Sequence, residues 1–223
     1  MIDEGYIKYQ CHWTKQESVT PEEITTLNRW RNQLYQLGLI GQYDNGIGFG
    51  NLSCRSKENK ILPVNYNNLT IKPKPQFVIS GTQTGGIPQL TARHYTKVVD
   101  FDWEQNYVTC IGVALASSES LTHGALYVAK PEIKAVVHVH HLQLWQKLLD
   151  CVPTTHPNCA YGTPEMALEI IKLCQTPECQ QQPIIVMSGH EEGIITFGKN
   201  IDEAGNTLLS YYQKFGCSNT DLC

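Results

Sequence analysis

The chain has 223 residues, of which 41% are hydrophobic and 17% charged, enough for one α/β domain with a sizeable core and too little for two comfortable ones. A net charge of −4 and a pI near 6.0 give no electrostatic reason to expect nucleic acid or an anionic membrane as partner, though a local pocket for a phosphate-bearing small molecule fits within them. The opening MIDEGYIKYQ has no basic segment followed by an apolar run, so no signal peptide is expected, and no apolar stretch reaches membrane-span length.

Residues 1–19 read as polar and irregular. Thr20-Pro21-Glu22-Glu23 opens a helix with an N-cap, a proline at N1 and acids in the first turn. Ile24, Leu27, Trp30, Leu34 and Leu37 follow at helical spacing and form its packing face. A glycine-rich stretch runs from Gly41 to Arg55, and residues 56–76, rich in Lys, Asn and Pro, read as a loop or hairpin excursion. Strands are expected at Phe77–Ser80, Val98–Asp102 and Tyr107–Val113. Ser118 can cap a predicted helix from about Glu119 to Ala129, and Ala135–His140 reads as a buried strand with polar residues at its end. His141–Leu149 and Pro164–Cys174 read as helices, the second capped by Thr163. Pro183–Met187 and Gly193–Phe197 are expected strands, and Asn200 or Asp202 caps a last helix to about Phe215. Hairpin-length connections between several strands favour a mixed or mostly antiparallel sheet covered by helices.

Nine cysteines are scattered without a CxxC pair. They read as buried or surface thiols in a reducing cytoplasm rather than as a metal ribbon. His138 and His140 carry more chemistry. Side chains two apart on a strand point the same way, so both imidazoles can share one cation. Zn2+ takes neutral imidazole nitrogens, and catalytic sites commonly pair three protein ligands with an open position. His190 ends another apolar strand in a glycine-flanked turn and is the best third ligand, whereas His141 points to the opposite face. The alternative is a pair of ordinary strand-end histidines. Ser117-Ser118-Glu119 reads as an anion site with an acid/base carboxylate at a helix start, or simply as a capped helix with a first-turn acid. Gly50-Asn51-Leu52-Ser53 and Ser80-Gly81-Thr82 are small-residue turns able to offer N–H groups to a phosphate.

In this order, GNLSCR at 50–55, ISGTQTGG at 79–86, VVDFD at 98–102, SSESLTHGALY at 117–127, AVVHVHH at 135–141, YGTPEMA at 161–167 and GHEEGIITFGKNIDEA at 189–204 resemble the class II aldolase/adducin family over roughly residues 22–215. The resemblance implies a single α/β/α domain, spanning 1–223, around a largely antiparallel sheet. It implies a Zn2+ lyase, with Mn2+, Fe2+ or Co2+ as other possible ions, acting on a small hydroxy-ketone or sugar phosphate, and a homo-oligomer, typically a tetramer. It places the metal on His138, His140 and His190, the acid/base role on Glu119, and phosphate binding on Asn51, Ser80, Gly81, Ser117 and Ser118. Tyr211 and Tyr212 are possible counterparts of the tail tyrosines of catalytic members, or helix packing residues.

The chain also departs from the family pattern. Gly48 stands where a hydroxyl is frequent, Ser120 where an aromatic is common, and Glu191 and Glu192 where neutral residues are usual. The interval from Ser53 to Ser80 is also long. Related readings are the epimerase branch, which usually carries Asp at the position of Glu119, and the dehydratase branch, which lacks S-S-E. A non-catalytic adducin-like interaction module, which usually lacks the ligand histidines, and a metal-binding protein of altered activity are the remaining alternatives.

Overall fold

The computed structural model describes residues 5–56, 65–66, 69–70 and 74–216. Its strands are β1 (Gln10–Thr14), β2 (Gly41–Gln42), β3 (Gly48–Phe49), β4 (Asn51–Arg55), β5 (Asn65–Tyr66), β6 (Leu69–Thr70), β7 (Phe77–Ser80), β8 (Tyr95–Asp102), β9 (Tyr107–Gly112), β10 (Ala135–His140), β11 (Ile184–Val186) and β12 (Gly193–Gly198). The helices are α1 (Pro21–Gln36), α2 (Ser120–Ala129), α3 (Leu142–Leu148), α4 (Pro164–Cys174), α5 (Pro177–Gln181) and α6 (Ile201–Tyr211). Eight strands form one sheet in the order β1-β9-β8-β7-β4-β10-β12-β11. Every neighbouring pair is antiparallel except β1 with β9. The expected α/β architecture, a mostly antiparallel sheet flanked by helices, is the one that forms.

Alternation along the strands sorts the apolar residues into two cores. On β10, Val136 joins Phe77, Ile79, Phe101 and Ile195 under α2 and α4. Ala135, Val137 and Val139 face the other way, with Leu52, Val78 and Ile194, under α1, α3 and α6. Because β10 is buried on both faces at every position, it carries a continuous apolar run rather than a half-polar alternation. His138 and His140 are in phase with Val136 and so lie on the α2/α4 face.

The helix starts follow their local chemistry. Thr20 and Glu23 form a reciprocal capping box at α1. Thr163 caps α4 in front of Pro164, and Asn200, not Asp202, caps α6 by accepting the Glu203 N–H at 2.8 Å. Asp202 instead accepts the Trp30 indole N–H at 2.5 Å, tying α6 to α1. Leu37 falls outside the expected packing face. It is the C-cap of α1 and 38% exposed, because Gly38 turns the chain at φ +70°.

Two further expectations are corrected. The stretch read as irregular holds β1, a mostly exposed edge strand whose parallel partner lies far along the chain. Tyr9, just before it, is buried. The helix expected from about Glu119 does form, from Ser120, but Ser118 is not its cap: the N-cap position is Glu119, with no side-chain cap. Two polar connections contain the short helix α5, capped by Thr176, and the hairpin β5–β6. That hairpin agrees with the reading of 56–76, and the rest of the excursion, residues 57–64, 67–68 and 71–73, lies outside the described residues. The seven described cysteines are all free thiols; Cys217 and Cys223 lie outside the described residues. No described helix is long and apolar enough to cross a membrane.

Candidate metal centre

The antiparallel pairings gather the candidate residues at one end of the sheet. His138 stands opposite Asn51, at the start of β4. His140 stands opposite Gly193, at the start of β12, and His190 sits in the turn just before it. Gly50 makes the entry to β4 possible. It adopts φ +76°, and a Cβ there would lie 2.7 Å from Ile40 and 3.2 Å from the His138 carbonyl, a conformation and a spacing that only glycine meets without strain.

His138, His140 and His190 are all buried, and one nitrogen of each lies within 4.8 Å of the others. Among the described residues they are the one group of three or more His, Cys, Asp or Glu side chains so placed. The ring centroids are separated by 4.9 Å for His138–His140, 5.1 Å for His138–His190 and 4.7 Å for His140–His190. His141 is not among them. Its ring faces away, and its Nδ1 accepts the Leu144 N–H at 3.1 Å to start α3.

The outer contacts define the tautomers. His138 Nδ1 lies 3.2 Å from the Ile194 carbonyl, which can only accept, so this nitrogen carries the proton. Burial, with His140 and His190 nearby, holds the His138 ring well below the usual histidine range and therefore neutral. His140 Nδ1 lies 2.8 Å from the Tyr43 hydroxyl, whose proton goes to Glu192 Oε2 at 2.6 Å. The nearby His140 ring and a hydrogen bond from Tyr43 hold Glu192 below the usual carboxylate range. The phenol oxygen is left to accept, so His140 also carries its proton on Nδ1. The two Nε2 atoms then present lone pairs to each other at 3.1 Å. Two acceptors at that distance repel unless a positive centre sits between them. The donor set thus fits a cation better than it fits a mutual hydrogen bond.

Glu119 is 2% exposed, and its Oε1 lies 3.7 Å from His190 Nδ1. Beside it runs a narrow polar cleft of about 20 Å³ lined by Asn51, Gly81, Ser117, Ser118 and Glu119, room for roughly one water. The Asn51 Oδ1 atom is buried there without a hydrogen-bond partner among the described residues. Ser117 Oγ accepts the Glu119 N–H at 3.3 Å, and Ser117 is held in turn by Tyr9, whose hydroxyl donates to its carbonyl at 2.9 Å. Ser80 is placed differently: its Oγ accepts the Leu52 N–H at 3.2 Å, pinning β7 to β4 rather than lining the cleft. Tyr211 and Tyr212 pack with the α1/α3/α6 core, and the Tyr212 ring stands 5.4 Å from His141.

Two contributors escaped the sequence reading. Tyr161 lays its ring against His190 at 4.7 Å, and Tyr43 reaches His140 from the β2–β3 turn. A lone tyrosine in a loop has no periodic signature, so only the tertiary contact reveals either. A much larger cleft, about 640 Å³, opens at the opposite end of β10 and β12 between Lys130, Phe197, Gly198 and Asn206. It contains none of the residues above.

Comparison with curated proteins finds no match. Among solved structures, a sugar-phosphate aldolase from Thermotoga maritima superposes with a TM-score of 0.60 at 18% identity, covering 86% of this chain and 91% of that one. An L-fuculose 1-phosphate aldolase gives 0.60 at 17% identity, covering 89% and 87%. YgbL from Escherichia coli, for which aldolase, epimerase and decarboxylase activities are the candidates, gives 0.56 at 17% identity, covering 85% and 84%. At these identities the likeness is one of fold. The sequence pattern of the Class II Aldolase and Adducin N-terminal domain matches residues 42–213, a span that contains the three histidines, Glu119, Asn51, Ser80, Gly81, Ser117 and Ser118. The chain belongs to the class II aldolase/adducin family.

Proposed function

We propose that the chain is a divalent-metal-dependent lyase that breaks the carbon–carbon bond near the carbonyl of a small hydroxy-ketone or sugar phosphate. The observation that carries this reading is the pair of inward-facing Nε2 atoms of His138 and His140, 3.1 Å apart. His138, His140 and His190 would hold the ion, with Zn2+ the first choice and Mn2+, Fe2+ or Co2+ compatible with the same nitrogens. When bound, the ion supplies positive charge where the substrate oxygen becomes anionic.

The remaining work falls to the protein's own groups. Glu119 Oε1 is buried beside His190 and is assigned the proton transfer to and from the substrate carbon. Asn51, Gly81, Ser117 and Ser118 anchor a phosphate or hydroxyl end group. The cleft they form is too small to enclose a sugar, so the body of the substrate lies outside it. Burial of all three imidazoles keeps water from competing for the donors. The presence of all three also weighs against a non-catalytic adducin-like module.

Elemental analysis of the purified, chelator-free protein beside a His138→Ala/His140→Ala variant tests the reading. About one ion per chain, absent from the variant, supports it. It would then be followed by a lyase screen of phosphorylated and unphosphorylated hydroxy-ketones. No ion in the wild type even after Zn2+ addition overturns it.

A further inference from the structure

The turn that carries His190 continues through Glu191 and Glu192 into β12. Glu192 stands at φ +67°, in the left-handed region that residues with a Cβ seldom adopt. Two contacts hold it there. Its backbone carbonyl accepts the His141 N–H at 3.0 Å, and its Oε2 accepts the Tyr43 hydroxyl at 2.6 Å. Tyr43 arrives from a separate turn, closed by its own N–H to the Ile47 carbonyl at 2.9 Å. Its ring packs on Phe49 at 4.5 Å, and Phe49 packs on His140 at 5.4 Å. The Glu192 carboxylate is 3.8 Å from His140 Nδ1, too far for a direct hydrogen bond. The phenol, 2.8 Å from the same nitrogen, is the link between them.

We propose that Tyr43 and Glu192 are positioning residues that lock the proton of His140 on Nδ1, orient its ring, and so set how tightly the triad holds a divalent cation. The inference rests on the reading of the triad as a cation site. Its physical basis is the outer partner of a ligating imidazole: an acceptor on the far nitrogen defines the tautomer and strengthens the near lone pair as a donor. His138 has only a neutral backbone carbonyl in that role. His140 has a phenol backed by a carboxylate, a stronger acceptor that reaches it from two loops. A glutamate kept in a conformation suited to glycine is accounted for by this contact.

The test is Co2+ titration of the full chain after chelator stripping, read by visible absorption and by competition with a chelator. The variants are Tyr43→Phe, Glu192→Gln and the double variant. Tyr43→Phe is expected to bind Co2+ about 10–100-fold more weakly, with a changed absorption envelope. Glu192→Gln, which can still accept the phenol proton, is expected to lose less. The double variant should be no weaker than Tyr43→Phe, because the two groups act in series. Wild-type affinity and spectrum in the double variant overturn the inference and leave the cation site standing. Failure of the wild type to bind Co2+ overturns both. Should Tyr43→Phe not fold, as judged by far-UV circular dichroism, Glu192→Leu decides by the same readout.

Discussion

The two ends of the β10–β12 ladder are built from the same strands and differ in every property that bears on chemistry. At the Ala135/Gly198 end lies a cleft of about 640 Å³, wide and lined by residues such as Lys199 and Asn206 that are free to meet water. At the His140/Gly193 end the cleft is about 20 Å³, yet it is lined by the buried Glu119 carboxylate and by an Asn51 oxygen without a hydrogen-bond partner among the described residues, and three buried imidazoles gather at the same end. Size and polar chemistry therefore point to opposite ends of the molecule. Burying several polar groups together costs stability, and a fold keeps such an arrangement where those groups have a partner to meet.

The largest effect that would break this contrast comes from the ligand pair. His138→Ala/His140→Ala should abolish metal content and activity while leaving the larger cleft unchanged. Retained activity would move the function away from the triad. Next, Glu119→Gln should lower turnover by about 10²–10⁴-fold with metal still bound. A variant that turns over normally by the same assay removes Glu119 from the chemistry.

A pH series sharpens the comparison from the stability side. Burial pushes His123, one helical turn beyond Glu119, down to about 3, and His138 is also depressed. Both rings are neutral in the folded protein and regain an ordinary pKa of about 6.5 on unfolding. Below that value the unfolded chain takes up protons that the folded one refuses, so stability present above about pH 6.5 is lost as pH falls. Unfolding free energy of the metal-free protein, measured by denaturant titration, should drop between pH 7 and pH 5 by on the order of 2 kcal/mol for His123, with His138 acting in the same direction. A flat profile would mean that these rings are not buried as neutral groups. The smallest effect belongs to the other end: Asn206→Ala should change stability by no more than about 0.5 kcal/mol and leave turnover within twofold of the wild type.

Much of the fold was legible because its signals are local. Thr163-Pro164 announces α4, the apolar run before His138 announces β10, and the H-x-H spacing alone implies two rings on one face. One signal misled. Ser118 looked like the cap of α2, but a cap is a backbone geometry, and here Glu119 occupies that position without a capping side chain. Ser80 shows the same dependence on context: its Oγ accepts the Leu52 N–H and keeps its own proton to donate. Residue type told which chemistry was available, not which partner would claim it.

The sequence by itself determined the secondary elements with strong caps or apolar periodicity, the family, and the three histidines as a set. Only the tertiary structure decided the parallel pairing of β1, the orientation of each imidazole, and the line from Glu192 through Tyr43 to His140. Those features join segments far apart in the chain, and no local pattern records which distant group a proton donor will face. A tautomer depends on that partner, and the partner is known only once the strands and loops are in place.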